Sequence, residues 1–116
     1  MNQAERLDRT FAVLSDSTRR AMLARLEREE ALSVSELARP HAIKLPAIMK
    51  HLDVLADAGL ITRAKSGRTV TVRLQPKPMR EAMEWLRRYE RFWNTSLDRL
   101  TLLAEAREAE ARKAGR

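Results

Sequence analysis

The segment from Leu45 to Ile61, LPAIMKHLDVLADAGLI, constrains the fold more than any other stretch of the chain. Both of its ends are marked. Pro46 falls in a first helical turn, where the missing N–H has no helical partner in any case. Ile48, Leu52, Leu55 and Ala56 recur at i, i+4, i+7 and i+8, which predicts one buried stripe on a helix over 45–58. Gly59 follows as the left-handed residue that ends the helix, and Leu60 is placed to fold back on the last turn. Lys50 and His51 lie away from the centre of the stripe. A short helix seated on a core, with basic groups turned outward, is what a DNA major groove admits.

The distribution of charge agrees. The net charge is +7, and residues 39–73 alone carry seven Lys or Arg against two acids, or +5. Residues 1–38 sum to −1 and residues 74–116 to +3. A positive excess centred on the proposed groove helix and the segment after it is an electrostatic footprint for a polyanion. At 116 residues the chain is one domain, or one domain with an extension, and its apolar share of 44% suffices for a core. There is no cysteine, which removes disulfides, zinc–thiolate sites and thiol nucleophiles together and fits a reducing cytoplasm. Residues 1–15 carry Glu5, Arg6, Asp8 and Arg9 and no apolar core of a signal peptide. No apolar run approaches the roughly 20 residues of a membrane span. The expectation is a cytoplasmic protein with no membrane partner.

Helical periodicity places Leu7, Phe11 and Leu14 on one face of a first helix over about 5–14, and Ala21, Met22, Leu23 and Leu26 on a second over about 17–30. Ser15 or Asp16 is placed to cap the second. Arg19 and Arg20 lie in its first turn, against the helix dipole, and a phosphate nearby would relieve them, as would solvent. Leu32-Ser33-Val34 is an extended link. Ser33 with Glu36 three residues on forms a capping box that opens a third, short helix, which Pro40 ends. Two short helices joined by a tight turn, the second with outward polar groups, make a helix-turn-helix.

From Ile61 to Leu74 the period changes to two. Val70, Val72 and Leu74 alternate with polar residues, and Ser66-Gly67 marks a turn. This predicts a β-hairpin, a wing, with Lys65 and Arg68 at its tip in reach of phosphates. Pro76 and Pro78 stop the strand, and one long helix is expected from Met79 to about Ala109. Four of the five aromatics fall in it within nine positions, at Trp85, Tyr89, Phe92 and Trp93. With Leu86, Leu97, Leu100 and Ala104 they make an apolar stripe longer than the small preceding core can cover, which predicts a dimer helix. Leu7 and Phe11 are expected to share in that interface. Residues 1–110 are read as one winged-helix domain that includes both dimerisation helices, and 111–116 as a frayed basic tail.

Several segments also resemble a known family. Leu14-Ser15-Asp16-Ser17-Thr18-Arg19-Arg20-Ala21-Met22-Leu23, Leu32-Ser33-Val34-Ser35-Glu36-Leu37-Ala38 and the groove segment resemble, in order, three motifs of ArsR-type bacterial repressors. The aromatic series resembles the long helix of a subgroup that lacks the usual metal-binding residues. The resemblance runs from about Leu7 to Leu103. It implies a mainly α fold with a small β-hairpin: a winged helix-turn-helix whose long C-terminal helix dimerises. It implies a homodimeric repressor of double-stranded DNA at a pseudo-palindromic operator. By the same resemblance Lys44, Pro46, Ala47, Lys50 and His51 of the groove helix face DNA with Lys65 and Arg68 of the wing, and Arg19 and Arg20 are further phosphate candidates; Met49 is a further candidate for DNA contact on the same helix. Lys44 and Met49 depart from the family, which commonly has Ser at both positions. Lysine cannot accept from the free N–H groups, so a capping contribution of about 0.5–2 kcal/mol is absent. Met49 is placed either to touch a thymine methyl or to pack inward.

Other functions fit less well. A metal-responsive repressor of the same family needs ligand clusters, and His41 and His51 are the only imidazoles, neither with a His at i+3 or i+4. No metal or cofactor is therefore expected. An enzyme would need a nucleophile beside a base, a phosphate-binding glycine loop or paired carboxylates in a cleft, and none is evident. The +5 groove segment argues against a winged-helix protein-interaction module, whose docking helix need not be basic. A small-molecule inducer is compatible with the aromatic stripe, but the sequence does not identify one.

Overall fold

The computed structural model describes residues 2–115, in the order α1 (Gln3–Leu14), α2 (Ser17–Arg28), β1 (Leu32–Ser33), α3 (Val34–Ala38), α4 (Leu45–Asp57), β2 (Ile61–Ser66), β3 (Thr69–Leu74), α5 (Lys77–Arg87) and α6 (Glu90–Ala114). It divides into two compact units between Ala82 and Met83.

The first unit is a winged helix. Asn2 and Asp16 cap α1 and α2 by accepting from the Glu5 and Arg19 backbone N–H groups. The capping box at α3 is complete: the Glu36 N–H donates to Ser33 Oγ, and the Ser33 N–H donates back to Glu36 Oε1, both at 3.1 Å. At the end of α4 Gly59 takes φ +76°, the Gly59 N–H donates to the Ala56 carbonyl and the Leu60 N–H to the Leu55 carbonyl. This is the Schellman ending, and it turns the chain directly into β2. The wing closes with a two-residue turn at Gly67-Arg68, in which Gly67 alone has positive φ, as a type II′ hairpin requires. The turn therefore sits one residue later than the Ser66-Gly67 signal suggests.

The sheet has a third strand beyond the expected hairpin. The extended link Leu32-Ser33 pairs antiparallel with Val72 and Thr71, so the order is β1-β3-β2. One core joins these elements: Met22 and Leu26 of α2, Leu37 of α3, Ile48, Leu52 and Leu55 of α4, Leu60 just before β2, and Val72 of β3. The groove helix is therefore held by three fully buried side chains on a single stripe.

The C-terminal region differs from the expectation of a single helix. The backbone ladder tightens at Arg88 and Tyr89, whose N–H groups donate to the carbonyls of Trp85 (3.3 Å) and Leu86 (3.0 Å), three residues back instead of four. This separates α5 from α6. No glycine or proline marks the break, and arginine is a good helix former, so residue type carries no sign of it. The second unit consists of the end of α5 and all of α6, which continues to Ala114 through residues expected to fray; Arg116 lies outside the described residues. None of the described residues of α6 is buried.

Candidate nucleic-acid interface

The α4 stripe that faces the core fixes which residues face out. Lys44, Pro46 and Lys50 are exposed, and Ala47 and His51 are half-buried at the edge. Met49 packs against the core cluster, which is the inward of its two sequence readings. Lys44 has the extended backbone of an N-cap, φ −70° and ψ 153°, and makes no side-chain cap. The Ala47 and Ile48 N–H groups both donate to the Lys44 carbonyl, and Pro46 has none to satisfy. The amino end of α4 thus carries an ammonium where a hydroxyl would cap it.

On the wing, Lys65 and Arg68 are exposed, and neither their side chains nor those of Lys44 and Lys50 have an ion-pair or hydrogen-bond partner among the described residues. Arg63 behaves differently. Its Nη1 donates to Asp53 Oδ1 at 2.6 Å and ties β2 to α4. The pair is ten positions apart across the Gly59 turn, so no helical or strand spacing announced it. It removes Arg63 from the free positive charge and braces the wing against the groove helix.

The two arginines that open α2 are also engaged. Arg19 Nε donates to the Val13 carbonyl (2.8 Å) and its Nη2 to the Ala12 carbonyl (3.3 Å), while Arg20 Nη1 donates to the Leu14 carbonyl (2.6 Å). All three carbonyls lie in the last turn of α1, whose acceptors lack helical partners, and that of Ala12 also accepts from the Ser15 N–H and Oγ. The unfavourable placement of two cations at the start of α2 is thus resolved by the carboxyl end of the preceding helix, close by across the Ser15-Asp16 link. Asp16 completes the junction. The Arg19 backbone N–H holds its carboxyl below the usual range, opposed by desolvation and assisted by the neighbouring His51 and Arg19.

No group of three or more His, Cys, Asp or Glu side chains among the described residues is placed to hold a metal ion. Nor is any described helix long and apolar enough to cross a membrane.

A scaffold that offers an outward basic helix and a basic wing tip has clear relatives. A helix-turn-helix domain family matches residues 14–64. The HTH-type transcriptional regulator Rv2034 of Mycobacterium tuberculosis is 36% identical over 90 residues, which cover 78% of this chain and 80% of that protein. The crystal structure of an ArsR family transcriptional regulator superposes with a TM-score of 0.73 at 40% identity, covering 78% of this chain and 93% of the other. The chain belongs to the ArsR family. An ArsR-like regulator from Rhodococcus sp. RHA1 extends the likeness to 87% of this chain and 94% of its own, with a TM-score of 0.65 and 32% identity. This ArsR-family protein is a DNA-binding transcriptional regulator with the winged helix-turn-helix fold.

Proposed function

We propose that the protein is a homodimeric repressor without enzymatic activity, working in the cytoplasm, that binds a pseudo-palindromic operator and excludes polymerase from an overlapping promoter. The observation that carries this reading is the set of four unpartnered cations, Lys44 and Lys50 on α4 with Lys65 and Arg68 on the wing, beside a helix whose opposite face is fully buried. Lys50, His51 and the amino end of α4 read base edges, Pro46 and Ala47 let the helix approach closely, and Lys44, Lys65 and Arg68 hold phosphates. Met49 supports the helix from beneath. Two chains pair through the apolar stripe of Leu86, Tyr89, Phe92, Trp93, Leu97 and Leu100, with Trp85, Leu7 and Phe11 contributing. Such a pair carries two groove helices, one for each half of a two-fold operator.

The test is selection of duplexes from a random library, followed by fluorescence anisotropy on the enriched duplex and a base-shuffled one across a salt series. Enrichment of a two-fold sequence, bound at least a thousandfold more tightly than the shuffled duplex, is the expected result, on the order of what specific regulators achieve. Failure to enrich any sequence would reject operator reading.

A further inference from the structure

Arg19 makes a third contact that capping α1 does not require. Its Nη1 lies 3.5 Å from Nδ1 of His51, across from α2 to the edge of the groove helix. A guanidinium has donors only and keeps its proton at all working pH. Any hydrogen bond in this contact therefore uses the Nδ1 lone pair, which leaves the ring proton on Nε2. His41 Nε2 is the buried side-chain atom left without a partner among the described residues, so His51 Nε2, which also has no protein partner, is reached by solvent. On α4, His51 shares its side with Ala47 and Val54, at i−4 and i+3.

We infer that Arg19 is a positioning residue for base reading. It fixes His51 as an Nε2–H donor at the edge of the groove, so that His51 selects an acceptor on a base edge, such as purine N7 or guanine O6. Arg19 acts from behind the helix and touches no phosphate. Its own orientation is set by three anchors: the Val13 and Ala12 carbonyls on its guanidinium, and the Asp16 carboxylate on its backbone N–H at 3.1 Å. The carboxyl end of α1 thus determines how a side chain on the reading helix is presented. This inference rests on the DNA-reading role proposed above and extends it to a residue outside the helix-turn-helix surface.

Two measurements test it. Long-range proton–nitrogen correlation on the free wild-type protein in mildly alkaline buffer reports the tautomer of each neutral ring. With two histidines in the chain, the His51→Gln variant assigns the signals. The Nε2–H form is expected for His51, giving way to a mixture in Arg19→Met. The second measurement compares wild type with Arg19→Met on the enriched and shuffled duplexes, well below the melting temperature of the variant. The preference for the enriched duplex is expected to fall on the order of tenfold with an unchanged salt slope, within the range of one lost base contact. His51→Gln, which leaves the α1 caps intact, is expected to change base preference without loss of folding.

An Nδ1–H tautomer in the wild type would overturn the inference. So would an unchanged preference in Arg19→Met, or equal weakening on both duplexes with a salt slope smaller by about one, since the latter marks a direct phosphate contact. If the wild type shows no preference between duplexes, operator reading itself fails, and the Arg19–His51 coupling is judged on the tautomer alone.

Discussion

Single residues of the interface separate by what each would cost when removed. Lys50 is exposed, unpartnered and on the outward side of α4, whereas Arg68 sits in the two-residue turn at the tip of the wing. A base-edge contact is worth about 1–3 kcal/mol of discrimination, whereas a phosphate contact carries no sequence information. Lys50→Ala is therefore expected to weaken binding to the preferred duplex by at least about fivefold and the shuffled duplex by much less. Arg68→Ala is expected to weaken both alike and to flatten the plot of log affinity against log salt by about one unit. Anisotropy titrations on the two duplexes read both effects. If the two variants show the same signature, the division of labour between helix and wing is wrong. The free cations were legible in the sequence as a basic footprint, but their number was not. Arg63 pairs with Asp53, and Arg19 and Arg20 satisfy α1 carbonyls, through contacts between elements that no local spacing encodes.

Elements show the same contrast between local and long-range signals. The ends of α3 and α4 are written in short motifs, Ser33 to Glu36 and Gly59-Leu60, and the structure realises each of them. The pairing of β1 with β3 joins residues about forty positions apart, and the α5–α6 break lies in the hydrogen-bond ladder, so neither has a local signature. Lys44 is the weak point of α4: its backbone is already that of an N-cap, but its side chain caps nothing. Lys44→Ser is expected to stabilise the fold by about 0.5–2 kcal/mol in denaturant titration while lowering DNA affinity without regard to sequence. Gly59→Ala works in the opposite direction. The new Cβ would meet Pro78 Cγ at an ordinary 3.6 Å, so the cost is the left-handed backbone itself, about 1–2 kcal/mol. The capping box also sets an acid limit. The backbone hydrogen bond from Ser33, and then its hydroxyl, hold the Glu36 carboxyl below its ordinary value, and Asp16 is lowered in the same direction. A depressed carboxylate stabilises the fold fully above its unfolded value and loses that contribution as pH falls through the folded one. Stability is expected to decline below about pH 4, and Ser33→Ala is expected to shrink that decline in acid titrations followed by circular dichroism.

At the scale of the whole molecule, α6 is a helix of 25 residues with nothing buried among its described residues. Phe92, Trp93, Leu97 and Leu100 are each more than half exposed, at 58–63%. Helical geometry puts Trp93, Leu97, Leu100 and Ala104 on one stripe, with Phe92 alongside. Phe92 and Trp93 meet edge to face at 5.6 Å, which gives the stripe a rigid aromatic end. Each such side chain gains about 1.5–3 kcal/mol when taken from water, and a second copy of the same stripe is a self-complementary partner under a two-fold axis. Leu102 provides the internal control. It is equally exposed at 65% but lies nine positions from Trp93, half a turn round the helix. Trp93→Asp is expected to yield monomers by sedimentation velocity, and Leu102→Asp to remain dimeric, because both residues are exposed and neither supports a core. The monomer should keep the salt-dependent binding of one winged helix and lose most of the preference for a two-fold duplex, since that preference needs two linked groove helices. A dimer that survives Trp93→Asp, or dissociation by both substitutions alike, would reject the stripe as the dimer interface. A monomer that still prefers the two-fold duplex as strongly as wild type would instead reject the link between dimerisation and operator choice.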